Sequence, residues 1–461
     1  MKKLNREVYG KYVERPEKII QFGEGNFLRA FIDTFFHKMN EKGLFDGSVV
    51  VVQPIAEGRA DSLNEQEGLY TAHLRGVSGG KVCEERFVSA SISRALNPYT
   101  QYDEYLKLAR NPEMRYIISN TTEAGIEFLS GDRFEDRPPK AFPAKLTVLL
   151  YERFKCFDGD ETKGFLIMPC ELNDNNGDKL KSCVLQYAEL WNLGEDFGIW
   201  LNTANTFANT LVDRIVTGFP SADIENFTKQ VGYKDDLYVT GELFHLWVIE
   251  ADEKYGAELP FTEAGINVIW TDDVEPYKTR KVRILNGAHT MMTPLAMLCG
   301  LDTVKGCMDD KDILNYIKQG LNREIIPTMT LPRAELDDFA EKVLERFANP
   351  TIQHKLASIS LNSVAKFKVR VLPSLLDSIV NTKQLPVLLT FSLAALIEFY
   401  KNGTPSDDEE IISYMRHSSP SDILENVKLW DANLLALKGN VEGHLDDIRT
   451  IGIRKALRKV L

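Results

Sequence analysis

The chain has 461 residues, room for two or three domains. Its 44% hydrophobic and 26% charged residues describe a globular protein with a sizeable core, not a disulfide-stapled miniature or a disordered chain. With 55 Lys and Arg against 67 Asp and Glu the net charge is −12, which repels a polyphosphate backbone and excludes a nucleic-acid partner as an expectation. The six cysteines, Cys83, Cys156, Cys170, Cys183, Cys299 and Cys307, are scattered with no CxxC pair and no metal-ligand spacing, so free thiols in a reducing cytoplasm are expected, and neither a disulfide framework nor a metal.

The first residues, Met1-Lys2-Lys3-Leu4, carry charge but lead into no apolar stretch, and the longest apolar run, residues 387–397, is too short for a bilayer. No membrane partner is expected. Short β-rich runs at residues 18–22, 49–52, 115–119 and 164–168 alternate with helical patterns, which predicts βαβ units and a parallel sheet.

Directly after the first run stands Gly23-Glu24-Gly25-Asn26-Phe27-Leu28-Arg29-Ala30, opening an amphipathic helix through Phe31, Phe35 and Phe36. Glycines there permit a tight turn and close backbone approach to a pyrophosphate, although Leu28 replaces the third glycine of the dinucleotide fingerprint. The acid expected some 20 residues on, for the ribose hydroxyls, is replaced by Gln53, with Arg59 nearby. An amide tolerates either cofactor, so the residues leave NAD and NADP both open. The polar turns Ser119-Asn120-Thr121-Thr122-Glu123-Ala124-Gly125 and Cys170-Glu171-Leu172-Asn173 close two further strands, at the sheet end where α/β folds bind ligands.

From about Pro276 the pattern becomes helical, with amphipathic stretches at 335–347, 385–400, 421–437 and 441–460. The expected fold is an α/β Rossmann-type N-terminal domain, residues 1–272, and a mostly α-helical C-terminal domain, residues 273–461, with an active cleft between them. The second domain opens on Lys278-Thr279-Arg280-Lys281-Val282-Arg283-Ile284-Leu285-Asn286-Gly287-Ala288-His289. On a regular helix, at about 100° per residue, Lys281, Asn286 and His289 share one side while Arg283 points elsewhere. Metal-free carbonyl reduction needs those three functions: a proton donor for the nascent alkoxide, an amide to hold the oxyanion, and an imidazole to orient substrate.

Lys281-x-x-x-x-Asn286-x-x-His289, Gly23-x-Gly25-x-Phe27-x-Arg29-Ala30, Thr122-Glu123-x-Gly125, Trp247-Val248-Ile249-Glu250 and Asn349-Pro350 together resemble the polyol-specific long-chain dehydrogenases, the mannitol 2-dehydrogenase relatives, over nearly the whole chain. The resemblance implies NAD(H), bound around Phe22, Gly23, Gly25, Asn26, Phe27, Gln53, Asn120 and Glu123. It further implies Lys281 as general acid/base, Asn286 as oxyanion donor, His289 as substrate-orienting group, Glu123 near the proton path and Lys366 as a substrate contact. Two departures stand out. Leu172 occupies the place of a second oxyanion amide, so that either Asn173 substitutes or the hole has one arm, and Ser358 stands where the polyol enzymes carry an arginine.

The forms of the 120–126 and 361–373 stretches resemble those of sugar-acid members of the family. That resemblance implies reversible interconversion of D-tagaturonate and D-altronate, with fructuronate reduction or a hexitol phosphate as alternatives. Lys366, Lys368 and Arg370 alternate, so an extended backbone would align all three on one face as a carboxylate site. Beyond a small-molecule sugar acid, no partner is expected except copies of the chain, as a monomer or small homo-oligomer.

Overall fold

Six strands supply the frame of the first half: β1 (Glu17–Phe22), β2 (Ser48–Val52), β3 (Ile92–Leu96), β4 (Tyr116–Ser119), β5 (Leu166–Pro169) and β6 (Thr206–Phe207). In the computed structural model, which describes residues 1–461, all neighbours pair in parallel in the order β3-β2-β1-β4-β5-β6. This is the doubly wound dinucleotide-binding order, and it reverses direction between β1 and β4.

The strands read as continuous apolar runs because both faces are covered. Ile19, Val49, Val51, Ile118 and Met168 pack on one side with Phe31 and with Phe35, Phe36 and Met39 of the helix Ile32–Glu41 that follows it. Ile20, Phe22, Val50, Val52, Ile117 and Ile167 pack on the other with Phe142, Leu146, Leu149 and Leu150 of the helix Phe142–Cys156. Each such aliphatic side chain, fully withdrawn from water, stabilises the fold by about 1.5–3 kcal/mol before entropy is counted.

Two smaller sheets were not anticipated from sequence. One orders Val216–Gly218, Val239–Glu242, Tyr70–Ser78 and Lys81–Ser89; the other orders Val268–Thr271, Leu246–Glu250 and Asn209–Asp213. The turn after Ser78 is Gly79-Gly80, both at positive φ (57° and 74°), as a two-residue hairpin turn requires.

The chain divides into two units, Met1–Arg75 with Cys83–Val274, and Glu275–Leu461 with Gly76–Val82, so the hairpin tip belongs to the second. The second unit is helical, built about Val387–Asn402, in which every residue from Leu388 to Tyr400 is buried. The backbone N–H groups of Leu388 and Leu389 donate to the buried Glu324 carboxylate at 3.0 and 2.8 Å, which satisfies orphan donors of its first turn. The expected helices at 421–437 and 441–460 are interrupted. The first breaks into Pro420–Glu425, Val427–Trp430 and Leu435–Leu437, with Asp431 at φ 56°; the second breaks at Gly452, φ 84°, into Lys438–Ile451 and Ile453–Val460.

Candidate active site

In the first unit the turn after β1 leads to the switch point between β1 and β4. Gly23 has φ 118°, and a Cβ there would stand 2.7 Å from the carbonyl oxygen of Asn120, so only glycine fits. Gly25 is exposed, and a Cβ on it would meet nothing within 4 Å, which leaves open space over the turn for a ligand's pyrophosphate. The helical segment is split into Asn26–Arg29 and Ile32–Glu41. Asn26 accepts from the buried Arg29 guanidinium at 2.6 Å, and Arg29 also donates to the carbonyls of Glu24 and Leu237. Phe27, half-buried, stacks on Phe31 with centroids 5.0 Å apart.

Two expected cofactor contacts are corrected by this geometry. The ring of Phe22 is wholly in the core against Tyr105 and Phe142, so only its backbone borders the turn, where its carbonyl accepts from the Asn120 N–H at 3.0 Å. Gln53 is spent on its own loop. Its amide nitrogen donates to the carbonyls of Ile55 and Ala56 (2.8 and 2.9 Å) and its oxygen accepts from Ala60 N–H at 3.1 Å, so it shapes the loop instead of offering a donor to a ribose.

The turns after β4 and β5 are sewn together. Asn120 donates to the Cys170 carbonyl at 2.7 Å, and Asn173 donates to the Glu123 carbonyl at 3.0 Å. Between them lies Glu171, which sequence reasoning passed over. Its buried carboxylate accepts from Ser119 Oγ (3.0 Å), Thr121 N–H (2.9 Å) and Thr121 Oγ1 (3.0 Å), and burial raises its pKa against the lowering effect of these bonds. Asn173 Oδ1 is buried without a donor, whereas Leu172 is 64% exposed and Glu123 is exposed.

In the second unit the expected regular helix carries a defect. Glu275–Arg280 and Gly287–Leu298 are α-helical, but Lys281–Asn286 between them is a π-helical turn. In a π turn the i→i+5 bond sets residues five apart one above another, which brings the Lys281 and Asn286 positions closer than a regular helix would; such turns concentrate at functional sites. His289 follows three residues later on the α-helix, on the same side as Asn286. Arg283 turns away, to Thr328 Oγ1 at 3.0 Å and Asp377 at 2.6 Å.

The His289 ring stacks on Phe347 (centroids 4.0 Å) and meets His354 edge-on at 5.0 Å, and its buried Nε2 has no partner. Its pKa is held well below the usual imidazole range by burial first, then by His354, Arg346, Arg370 and Lys366, so the ring is neutral at physiological pH. His354 and Arg346 were not singled out from sequence, since neither belongs to a local motif.

The basic triplet is corrected. Residues Ser363–Arg370 form an α-helix, not an extended strand, because Val364, Phe367 and Val371 are the buried positions, at helical spacing, while Val369 is 57% exposed. Lys366 and Arg370, four apart, share a face; Lys368 lies on the opposite side and pairs with Asp431 at 2.9 Å. Lys366 donates to the Ile359 carbonyl at 2.9 Å, and its pKa is lowered by burial and then by Arg370. The half-buried Arg370 guanidinium makes no hydrogen bond or ion pair within the chain, and burial lowers its pKa. Ser358 is exposed in the short helix Leu356–Ile359.

A doubly wound sheet with a glycine turn at its switch point, and a helical unit bearing a Lys, Asn and His cluster, define a two-domain oxidoreductase acting on CH–OH groups. Residues 17–262 match the mannitol dehydrogenase Rossmann domain and residues 273–434 the mannitol dehydrogenase C-terminal domain, and the chain belongs to this family. It is 46% identical to the altronate oxidoreductase of Bacillus subtilis (strain 168) over 473 residues, covering 100% of this chain and 98% of that one. It is 50% identical to the altronate oxidoreductase of Bacteroides thetaiotaomicron over 412 residues, covering 89% and 86%. Among solved structures the fold is shared with D-sorbitol dehydrogenase in substrate-free form (TM-score 0.84, 21% identity, 99% and 100% coverage). It is also shared with the Pseudomonas fluorescens mannitol 2-dehydrogenase ternary complex with NAD and D-mannitol (TM-score 0.69, 22% identity, 99% of each chain).

Proposed function

We propose that this chain interconverts D-tagaturonate and D-altronate with NAD(H). The observation that carries the sugar-acid reading is the pairing of Lys366 with an unpartnered, half-buried Arg370 on one helix face, a ready acceptor for a carboxylate that a neutral polyol lacks. The full-length likeness to altronate oxidoreductases supports the same substrate. The open space over Gly25, at the switch point, suits a dinucleotide, with Gly23, Gly25, Asn26 and Asn120 beside its phosphates; when bound, NADH supplies the hydride.

The remaining steps belong to the chain's own residues. The Lys281 ammonium gives a proton to the nascent alkoxide in reduction and takes it back in oxidation. The Asn286 amide donates to the developing oxyanion, a bond strongest in the transition state. Neutral His289, fixed by Phe347, orients a substrate hydroxyl through its free Nε2, and Lys366 with Arg370 holds the carboxylate. Asn173 is bonded through its amide nitrogen to the Glu123 carbonyl, with its second N–H unspent.

A panel of D-tagaturonate, D-fructuronate and neutral ketoses, followed by NADH absorbance, tests the substrate. Turnover should be fastest with D-tagaturonate; a preference for neutral ketoses would overturn the assignment. Lys281→Ala should lose at least about a thousandfold in kcat while its NADH affinity, from fluorescence titration, stays within twofold of wild type. Retained turnover would remove Lys281 from the proton path.

A further inference from the structure

Gly287, immediately after Asn286, is buried in helical conformation (φ −62°, ψ −48°), so its backbone does not demand glycine. Glycine within a helix is a conformational cost unless its missing side chain is put to use. Its N–H closes the π turn onto the carbonyl of Val282 and also points to that of Ile284. A Cβ at this position would lie 3.1 Å from the Arg370 carbonyl oxygen and 3.5 Å from that of Val282. The Arg370 carbonyl sits in the last turn of its helix, where carbonyls lack intrahelical partners, and a Cα–H of Gly287 is what faces it. The helix that carries Lys366 and Arg370 is thus seated directly on the backbone that follows Asn286 and precedes His289.

We propose that Gly287 is a specificity-determining positioning residue, whose bare Cα sets how closely Arg370 and Lys366 approach Asn286 and His289 and so fits the site to an anionic sugar. The inference rests on the reading of Lys366 and Arg370 as the carboxylate site. A methyl group at Gly287 meets a backbone oxygen, not a flexible side-chain end, so the Arg370 end of helix Ser363–Arg370 must give way by a few tenths of an ångström. A forked guanidinium–carboxylate contact is directional and loses strength on such a shift, while contacts to sugar hydroxyls, made by other groups, are spared.

The test compares wild type and Gly287→Ala with D-tagaturonate and with D-tagatose, its neutral counterpart, in steady state. The variant should raise KM for D-tagaturonate at least tenfold, leaving KM for NADH and kcat/KM for D-tagatose within about twofold. An equal loss with both sugars, or a fall in kcat alone, would overturn the inference. Should Gly287→Ala not fold, Arg370→Lys keeps the question open to measurement, because it shortens the fork without touching the backbone seat. It should lose the same selectivity, and an unchanged preference would mean that Arg370's position decides nothing. Where both variants are soluble, the double variant should be no less selective than the worse single one; effects that multiply would count against a shared cause. A wild type indifferent to the carboxylate would sink the underlying reading, whereas a selective wild type with an equally selective Gly287→Ala would sink this inference alone.

Discussion

Asp33 lies wholly buried beneath the Gly23 turn, and Gln21 Nε2 donates both to its Oδ2 (3.3 Å) and to the Gly23 carbonyl (3.0 Å). The other two oxygens of the pair, Asp33 Oδ1 and Gln21 Oε1, are buried without a donor. A proton on Asp33 Oδ1 would let the acid O–H donate to the amide oxygen and complete a cyclic acid–amide pair. Consistent with this, burial pushes the Asp33 pKa up to about 7 against the lowering effects of Gln21 and Arg29, the nearby cation, whose guanidinium is taken by carbonyls and Asn26. The sign follows. A folded pKa above the unfolded value of about 3.9 gives stability that is complete below pH 3.9 and is lost as pH rises through about 7, by about 1.4 kcal/mol for each pH step between the two. Asp33→Asn reproduces the protonated partner, so urea unfolding at pH 5 to 8 should show wild type falling progressively below the variant as pH rises. Parallel curves would rule the cyclic pair out. Sequence did hold a signal for it, a Gln in the apolar β1 run and an Asp between Ile32 and Thr34 on an otherwise buried helix face, but only packing shows that the two meet.

The helix Ser363–Arg370 shows how an element can be misread. Alternation of Lys366, Lys368 and Arg370 with Phe367 and Val369 satisfies a period of two as well as any strand, whereas Val364, Phe367 and Val371 satisfy the helical period, and burial of the latter set decides. The helix makes the three cations unequal. Lys366→Gln and Arg370→Gln should each raise KM for D-tagaturonate by about tenfold or more, the effect of losing a charge-assisted bond of about 1.5–3 kcal/mol, while Lys368→Gln, which only frees Asp431, stays within twofold. Three equal effects, measured side by side, would speak for the extended arrangement that the sequence alone suggests. The π turn Lys281–Asn286 is a harder case. The Lys, Asn and His spacing was legible, but nothing in residue type marks where a helix takes in one extra residue per turn.

At the scale of the whole chain, the parallel sheet was legible because strands buried on both faces are continuous apolar runs, and β1, β2, β4 and β5 stand out for that reason. The strand Lys81–Ser89 escaped notice because its first six residues are all exposed and four of them charged, carrying no period that distinguishes it from a loop. The two units each bury their own apolar residues, which sets up a thermodynamic contrast. A ligand that binds only folded protein stabilises it by RT ln(1 + [L]/Kd), about 2.7 kcal/mol at a hundredfold excess over Kd, and that free energy goes to whichever structure must open for the ligand to leave. If the Gly23 turn holds NADH, amides of β1 and β4 that exchange only on unfolding of their unit should slow about a hundredfold in hydrogen-exchange mass spectrometry, while those of Val387–Asn402 keep their rates. Equal slowing throughout would mean that the chain opens as one cooperative body, with no energetic counterpart to the division at Val274, and no slowing anywhere would take the cofactor away from the turn.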